Sequence, residues 1–236
     1  MDLTGASRIV VIGGGQAGAQ ALQSLRSGGY AGALTLVGDE PALPYQRPPL
    51  SKAYMKGEMT EERLYFRPAP WYQDQDIEVI LSTPVKNIDR THRKVELAHG
   101  GHLDYDALII ATGSRPRALP LKGATLHGVH DLRDLSDVER IRPNMIEGRK
   151  MVIIGAGYIG LEAAAVARQM GLDVTVLEMA PRVLARVTSP VMSDFFETEH
   201  RAQGVTILTD SRLDHLDGTD GKVSAAVLAD GTRLDA

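Results

Sequence analysis

The sequence predicts an α/β protein of two units, each with three layers around a mostly parallel sheet. Three observations predict this fold. A strand, a glycine-rich turn, a helix and a second strand follow one another twice along the chain, and both turns have the form G-x-G-x-x-G. The 236 residues are 43% hydrophobic and 24% charged, which is typical of one or two soluble domains.

The first pattern starts with an apolar β-branched strand at residues 9–12. It continues through Gly13-Gly14-Gly15-Gln16-Ala17-Gly18 into a helix over residues 17–25, which the pair Gly28-Gly29 ends. A second strand over residues 34–37 is followed by Asp39.

The second pattern repeats this order. A strand at residues 151–154 leads into Gly155-Ala156-Gly157-Tyr158-Ile159-Gly160 and a helix over residues 159–170, with Gly171 after it. The next strand, residues 174–177, is followed by Glu178. A single G-x-G-x-x-G is weak evidence, but two copies in complete strand–helix–strand context predict two Rossmann-like dinucleotide-binding domains.

Each part of the pattern has a physical task. The first glycine permits the tight turn, the second lets the backbone approach a pyrophosphate, and the third lets helix and strand pack closely. The pyrophosphate lies at the helix N-terminus, where free N–H groups and the helix dipole favour negative charge. The acid after the second strand accepts hydrogen bonds from ribose hydroxyls.

The remaining elements are less regular. Between the two patterns, prolines 41, 44, 48 and 49 mark a loop, and the last part of the first domain ends in Ala111-Thr112-Gly113. We expect short helices at 50–56 and 71–75, strands at 77–81 and 107–110, and a hairpin of 94–98 with 102–105. After the second pattern we expect a helix at 190–203 and strands at 205–208, 211–216 and 223–228. The predicted domains are residues 1–113 and 114–236.

Composition excludes several classes of function. A net charge of −4 gives no electrostatic basis for nucleic-acid binding, and no apolar run approaches the roughly 20 residues of a membrane span. Residues 1–7 are too few and too polar for a secretory leader, so we expect a cytoplasmic protein. The sequence contains no cysteine, which excludes a redox-active disulfide or thiolate ligation, and its histidines lack metal-site spacing. No metal site is expected.

Six segments match a known family: Val11–Gly18, Leu43–Tyr54, Asp104–Gly113, Leu132-Arg133, Val152–Glu162 and Pro181–Val187. The proline-rich segment Leu43–Tyr54 is more specific than either glycine turn. Through these six segments the chain resembles the FAD-dependent ferredoxin reductases of the putidaredoxin reductase type. The resemblance implies that the first domain binds FAD and the second binds NADH. Because members of that family continue well beyond residue 236, we also expect a truncated chain with an incomplete FAD-binding domain.

The resemblance implies a set of flavin-site positions. They are Gly13, Gly15, Ala17, Gly18, Asp39, Arg47, Lys52, Val85, Ala111, Thr112, Gly113 and Arg133. Val85 is equally typical of a core strand residue. Lys52 resembles the family lysine beside the isoalloxazine ring, and Glu162 resembles the glutamate that pairs with it near the nicotinamide. From the helix alone, Glu162 would be interpreted as a partner of the helix dipole.

For NADH, the predicted residues are Gly155, Gly157, Tyr158, Ile159, Gly160, Glu162, Glu178 and Arg186. Glu178 should hold the ribose and disfavour a 2′-phosphate, since juxtaposed like charges cost several kcal/mol. Arg182 or Arg186 would soften this preference for NADH over NADPH if either reached that phosphate.

The resemblance implies transfer of electrons from NADH through FAD to a small 2Fe–2S ferredoxin that serves a monooxygenase or dioxygenase. The cofactors supply the redox chemistry, and the protein supplies orientation and charge. Two alternatives stay open: a module that binds NADH or FAD without turnover, and a flavoprotein whose acceptor is a quinone, a radical or oxygen. The sequence leaves the oligomeric state undetermined.

Overall fold

The computed structural model describes residues 5–236, which form two units. The first unit holds the described residues up to Arg47 together with Thr60–Arg115, and the second holds Pro48–Met59 together with Pro116–Ala236. The predicted cut between residues 113 and 114 would leave the segment Pro48–Met59 in the first domain. The expectation about a leader at residues 1–7 falls largely on residues 1–4, outside the described range.

The first unit has a four-stranded parallel sheet in the order β3-β2-β1-β7. Its strands and helices are β1 (Arg8–Ile12), α1 (Gln16–Ser27), β2 (Ala33–Val37), α2 (Ala69–Asp74), β3 (Ile77–Ile80) and, after three further strands, β7 (Ala107–Ile110). A 3₁₀ turn covers Glu61–Arg63. This is the parallel α/β architecture that the sequence predicts.

Alternate residues of β1 point to opposite faces of this sheet. Ile9 and Val11 pack with Leu22 of α1 and Tyr72 of α2 on the helical face. Val10 and Ile12 pack on the other face with Val95. Both faces of the strand are therefore buried, which explains why β1 is a continuous apolar run.

The face opposite the helices is covered by an antiparallel meander. It consists of β4 (Val85–Asp89), β5 (Lys94–Leu97) and β6 (His102–Asp104), in the order β4-β5-β6. The sequence predicts the hairpin of β5 and β6 but not β4, whose alternation is broken by Lys86 and Asn87.

The second unit has a three-stranded parallel sheet in the order β10-β9-β8, and an antiparallel sheet β11-β12-β13. The elements of this unit are α3 (Leu135–Ile141), β8 (Lys150–Ile154), α4 (Tyr158–Gln169), β9 (Asp173–Leu177), α5 (Pro190–Ala202), β10 (Thr206–Leu208), β11 (Leu213–Thr219), β12 (Lys222–Leu228) and β13 (Arg233–Asp235). A 3₁₀ turn follows α3 at Arg142–Asn144. A core cluster containing Leu177, Leu216 and Leu228 joins β9 to the antiparallel sheet.

Two local predictions differ from the structure. The helix expected at residues 50–56 is a 3₁₀ helix over Pro48–Ser51 followed by turns. Pro48 and Pro49 are tolerated at its start because the first residues of a helix need no N–H donor. The strand expected at 211–216 extends to Thr219, and its hairpin turns at Asp220-Gly221, both with positive φ. That backbone suits a two-residue hairpin turn.

Among residues 5–236, none of the helices is long and apolar enough to cross a membrane.

The close contact between α1 and the glycine loop before it yields a stability prediction. A Cβ added at Gly18 would lie 2.0 Å from the backbone oxygen of Gly13, whereas one added at Gly14 meets no atom within 4 Å. We expect Gly18→Ala to lower the free energy of unfolding by about 1–3 kcal/mol through overpacking. Urea denaturation measures this, with Gly14→Ala as the matched control; equal stability of the two variants would contradict the prediction.

Candidate functional site

The first glycine loop connects β1 to α1 at the carboxyl edge of the parallel sheet. Gly13 has φ +113°, and a Cβ there would lie 2.3 Å from the backbone oxygen of Ala111. Close backbone contacts therefore leave no room for a side chain at Gly13 or Gly18. A Cβ on Gly14 or Gly15 would meet nothing within 4 Å, so the outer side of this loop is open.

The second glycine loop repeats this arrangement between β8 and α4. Gly155 has φ +102°, and a Cβ on Gly160 would lie 2.1 Å from the backbone oxygen of Gly155. A Cβ on Gly157 would meet nothing within 4 Å. Each unit thus has a close contact between its helix and the first glycine of the loop, and the outer side of the loop is open.

Both loops end at a helix N-terminus that no side chain caps. Gly15 is the N-cap of α1 and Gly157 is the N-cap of α4, and neither helix N-terminus has a side-chain hydrogen bond. The first N–H groups of a helix have no intrahelical acceptor, so Ala17 and Ile159 lie where backbone donors are available to a ligand. Tyr158 and Ile159 are about half exposed, at 49% and 51%. This arrangement suits the phosphates of a dinucleotide.

Other predicted flavin residues lie at the same edge of the first sheet. The N–H of Gly13 donates to the oxygen of Val37 at 2.8 Å, which places the loop beside the end of β2, where Asp39 is exposed. The N–H of Ala111 donates to the oxygen of Ile12 at 2.7 Å. Thr112 and Gly113 follow it and are exposed. The structure therefore brings the ends of β1, β2 and β7 together.

Arg47 and Val85 have contacts of their own within the first unit. The guanidinium of Arg47 forms an ion pair with Glu40, which also accepts a hydrogen bond from the hydroxyl of Tyr45. Val85, at the start of β4, packs against the core cluster that contains Val10 and Val95. The core role that the sequence left open for Val85 is present in the structure.

Glu178 lies at the end of β9 and binds its own backbone surroundings. Its Oε2 accepts from the N–H of Ala156 in the second glycine loop at 2.9 Å, and its Oε1 accepts from the N–H of Ala180 at 2.8 Å. The corresponding acid of the first unit, Asp39, has no side-chain hydrogen bond or ion pair among residues 5–236. The two acids occupy equivalent positions but differ in their contacts.

The two candidate arginines lie in the loop after β9 and differ in their contacts. Arg182 donates to the backbone oxygens of Ala185 at 2.9 Å and Thr188 at 3.0 Å, and to the hydroxyl of the buried Ser193 at 2.7 Å. These bonds hold Arg182 within the protein. Arg186 is exposed and forms no ion pair in the described part of the chain, so it is the one of the two that faces solvent.

Lys52 and Glu162 form an ion pair within the second unit. Lys52 Nζ lies 2.5 Å from Glu162 Oε2, and the hydroxyl of Ser51 donates to the same oxygen at 2.6 Å. The segment around them is held by buried Leu50, Tyr54 and Met55. Sequence reasoning missed Ser51, although it directly precedes the predicted Lys52.

Arg133 also belongs to the second unit, just before α3. Its N–H donates to Asp137 Oδ2 at 2.7 Å, as part of the loop that the capping box of Asp134 and Asp137 closes. Nearby, burial and the positive charge of Arg140 lower the pKa of His130. The spacing Asp134-x-x-Asp137 is the signal that could have predicted α3.

Two open glycine loops at uncapped helix N-termini, each near an acid that follows the next strand, define a fold of the dinucleotide-binding class. A family model described as pyridine nucleotide-disulphide oxidoreductase matches residues 7–236, and the chain belongs to this family. Its 236 residues include no cysteine, so this part of the protein carries no redox disulfide.

Ferredoxin-type reductases are among the similar proteins. The chain is 46% identical over 228 residues to rhodocoxin reductase of Rhodococcus erythropolis, covering 97% of this chain and 53% of that protein. It is 43% identical over 233 residues to putidaredoxin reductase CamA of Pseudomonas putida, covering 97% and 55%. The crystal structure of the covalent putidaredoxin reductase–putidaredoxin complex matches with a TM-score of 0.94 at 42% identity, covering 98% and 56%. The chain spans about half the length of these relatives.

The unequal contacts of the two acids yield a prediction. Glu178→Ala leaves the N–H groups of Ala156 and Ala180 without their acceptor. We expect it to lower the free energy of unfolding by about 1–3 kcal/mol, measured by urea denaturation. The matched variant Asp39→Ala should change it by less than about 0.5 kcal/mol, as is usual for exposed positions. A larger effect for Asp39→Ala than for Glu178→Ala would refute this difference.

Proposed function

We propose that this chain is the dinucleotide-binding part of an NADH-dependent flavoprotein oxidoreductase. In this proposal, electrons pass from NADH through FAD to a small 2Fe–2S ferredoxin that feeds a monooxygenase or dioxygenase. The observation that carries the proposal is the pair of open glycine loops, in which Gly15 and Gly157 leave space at an uncapped helix N-terminus. The names of its relatives, which are reductases of small redox proteins, support the same reaction class.

The residues of the first unit fit FAD. Gly14 and Gly15 leave space for a pyrophosphate, the N-terminus of α1 supplies N–H donors, and Asp39 has a carboxylate available for ribose hydroxyls. Thr112 and Gly113 would line the same edge. FAD bound there would supply the redox chemistry, which is hydride acceptance and release of single electrons, that no side chain of this chain provides.

The residues of the second unit fit NADH. Gly157, Tyr158 and Ile159 would lie against the pyrophosphate, and Glu178 would lie beside the ribose of the adenosine. A 2′-phosphate would approach the carboxylate of Glu178, so we propose a preference for NADH over NADPH. Exposed Arg186 is the side chain that could partly offset this repulsion.

Two charged residues are proposed for the reaction itself. Lys52 would supply a positive charge that stabilises negative charge near the reduced ring, and Glu162 would hold its ammonium. Arg133 is proposed to place a positive charge near the phosphates of the flavin nucleotide, and Arg47 is proposed as a further residue of the flavin site. No general acid, base or nucleophile of the protein is required.

The proposed partner is a 2Fe–2S ferredoxin. Its support is the similarity to putidaredoxin reductase, which was crystallised in a covalent complex with putidaredoxin. A cytoplasmic location, where NADH is available, is part of the proposal. The alternatives of a nucleotide-binding module without turnover and of another electron acceptor are outcomes of the experiments below.

The visible absorbance of bound flavin reports on both proposed nucleotide sites. We expect the purified chain, supplied with FAD, to be yellow, and we expect anaerobic NADH to bleach its visible absorbance. Gly15→Asp should weaken FAD binding and Gly157→Asp should weaken NADH binding, each by about a hundredfold or more, because a carboxylate then faces a phosphate. Aspartate is a favoured N-cap, so both variants should fold.

Each of the two variants serves as the experimental control for the other. Gly157→Asp should keep its colour and lose bleaching at low NADH concentration, and Gly15→Asp should lose its colour. A chain that binds FAD and is not bleached by NADH is a binding module. A bleached chain that reduces a quinone or oxygen and not an added 2Fe–2S ferredoxin would overturn the proposed acceptor.

Arg186 affects the choice between NADPH and NADH in this proposal. We expect Arg186→Ala to lower kcat/KM for NADPH by about three- to tenfold, since a charge-assisted contact to the 2′-phosphate is lost. The value for NADH should change less than about twofold, because NADH lacks that phosphate. Steady-state kinetics with both nucleotides measure this, and a parallel decrease for both would contradict the role of Arg186.

A further inference from the structure

Glu162 of α4 has two donors on one carboxylate oxygen. Ser51 Oγ lies 2.6 Å from Oε2, and Lys52 Nζ lies 2.5 Å from it. Ser51 is 3% exposed, whereas the side chains of Lys52 and Glu162 are 48% and 34% exposed. The hydroxyl is therefore the buried partner in a network whose two charged members reach solvent.

The Ser51 hydroxyl donates its hydrogen bond to the carboxylate of Glu162. A hydroxyl has a single proton to donate, and its other acceptor, the backbone oxygen of Pro48, lies 3.5 Å away. A separation of about 2.6 Å is typical of an O–H donor on an ionised carboxylate. The Ser51–Glu162 hydrogen bond is thus charge-assisted. Because the hydroxyl has one proton, it cannot also donate to the backbone oxygen of Pro48.

Ser51 is held in place by contacts that do not involve Lys52. It ends the 3₁₀ helix Pro48–Ser51, and the hydroxyl of Tyr54 donates to Glu139 at 2.6 Å. Arg142 donates to the backbone oxygen of Tyr54 at 2.9 Å. The segment is therefore fastened to the second unit independently of the ion pair.

Lys52 by itself is a poor anchor for the carboxylate. Its ammonium is carried on a flexible stem and also donates to the oxygen of Pro48 at 3.2 Å. A half-exposed ion pair gains little because water competes for both charges and two long side chains lose freedom. A buried hydroxyl on a fixed backbone has neither disadvantage.

We propose that Ser51 is the positioning residue of the Lys52–Glu162 pair. Its hydroxyl holds the carboxylate of Glu162 in one orientation, and the carboxylate in turn places the ammonium of Lys52. When the ammonium turns towards another negative group, Ser51 keeps Glu162 hydrogen-bonded. The effect on electron transfer rests on the proposed function, whereas the Ser51–Glu162 coupling does not.

A double-mutant cycle without cofactor tests the coupling. We expect Ser51→Ala to lower the urea midpoint of this chain by about 0.5–1 M, and by less than about 0.2 M in a Glu162→Ala background. Ser51→Thr, which keeps the hydroxyl, should retain most of the midpoint. The exposed Ser136, which donates to Asp134 at 2.8 Å, supplies the control: Ser136→Ala should have the same effect in both backgrounds. An equal loss for Ser51→Ala in both backgrounds would mean that Ser51 acts by packing, and the proposal would be wrong.

Stopped-flow reduction of the FAD-loaded chain by NADH tests the consequence. We expect Ser51→Ala to lower the limiting rate about three- to tenfold with less than a twofold change in NADH affinity, and Ser51→Thr to restore the rate. In the Glu162→Ala background, Ser51→Ala should have no further effect. An undiminished rate for Ser51→Ala would overturn the positioning role.

The two kinds of failure are distinguishable. If the double-mutant cycle shows coupling but NADH does not reduce the unsubstituted chain, the proposed function fails and the Ser51–Glu162 interaction stands. If reduction by NADH occurs but the cycle shows no coupling, the inference about Ser51 fails and the proposed function stands.

Discussion

The close contact between a helix and the turn before it is the constraint on which both units depend. At Gly18 and Gly160 a single added methyl group would overlap the backbone oxygen of the first glycine in the same loop. This contact brings the N-terminus of each helix to the carboxyl edge of its sheet. The N–H groups of that terminus can then face a phosphate, which is the basis of dinucleotide binding.

The two units apply this constraint with different acids. Glu178 accepts hydrogen bonds from Ala156 and Ala180, so its carboxylate is already part of the second loop when a nucleotide arrives. Asp39 is exposed at the end of β2. We infer that the second loop is stiffened by its own acid, whereas the carboxylate of Asp39 keeps its full hydrogen-bonding capacity for a ligand.

The segment Pro48–Met59 belongs to the second unit, although the residues on either side of it in sequence belong to the first. Buried Leu50 and Met55, with the Tyr54–Glu139 hydrogen bond, hold it within the second unit. It carries Ser51 and Lys52 to Glu162 of α4, more than a hundred residues away in sequence. The ion pair is therefore a product of packing, because no local pattern joins these residues.

The sequence by itself determined the α/β fold, the two glycine loops and the acids at the strand ends, because strand and helix periodicity and glycine's freedom are local properties. From the sequence, residue 85 could be placed in the flavin site or in the core, and Arg182 in the nucleotide site or at the surface, with equal reason. The tertiary structure adds contacts that no local pattern gives: Val85 packs in the core, Arg47 pairs with Glu40, and Arg182 closes a loop. It also decided that Ser51 reaches Glu162, since hydrogen bonds between distant segments depend on how those segments pack.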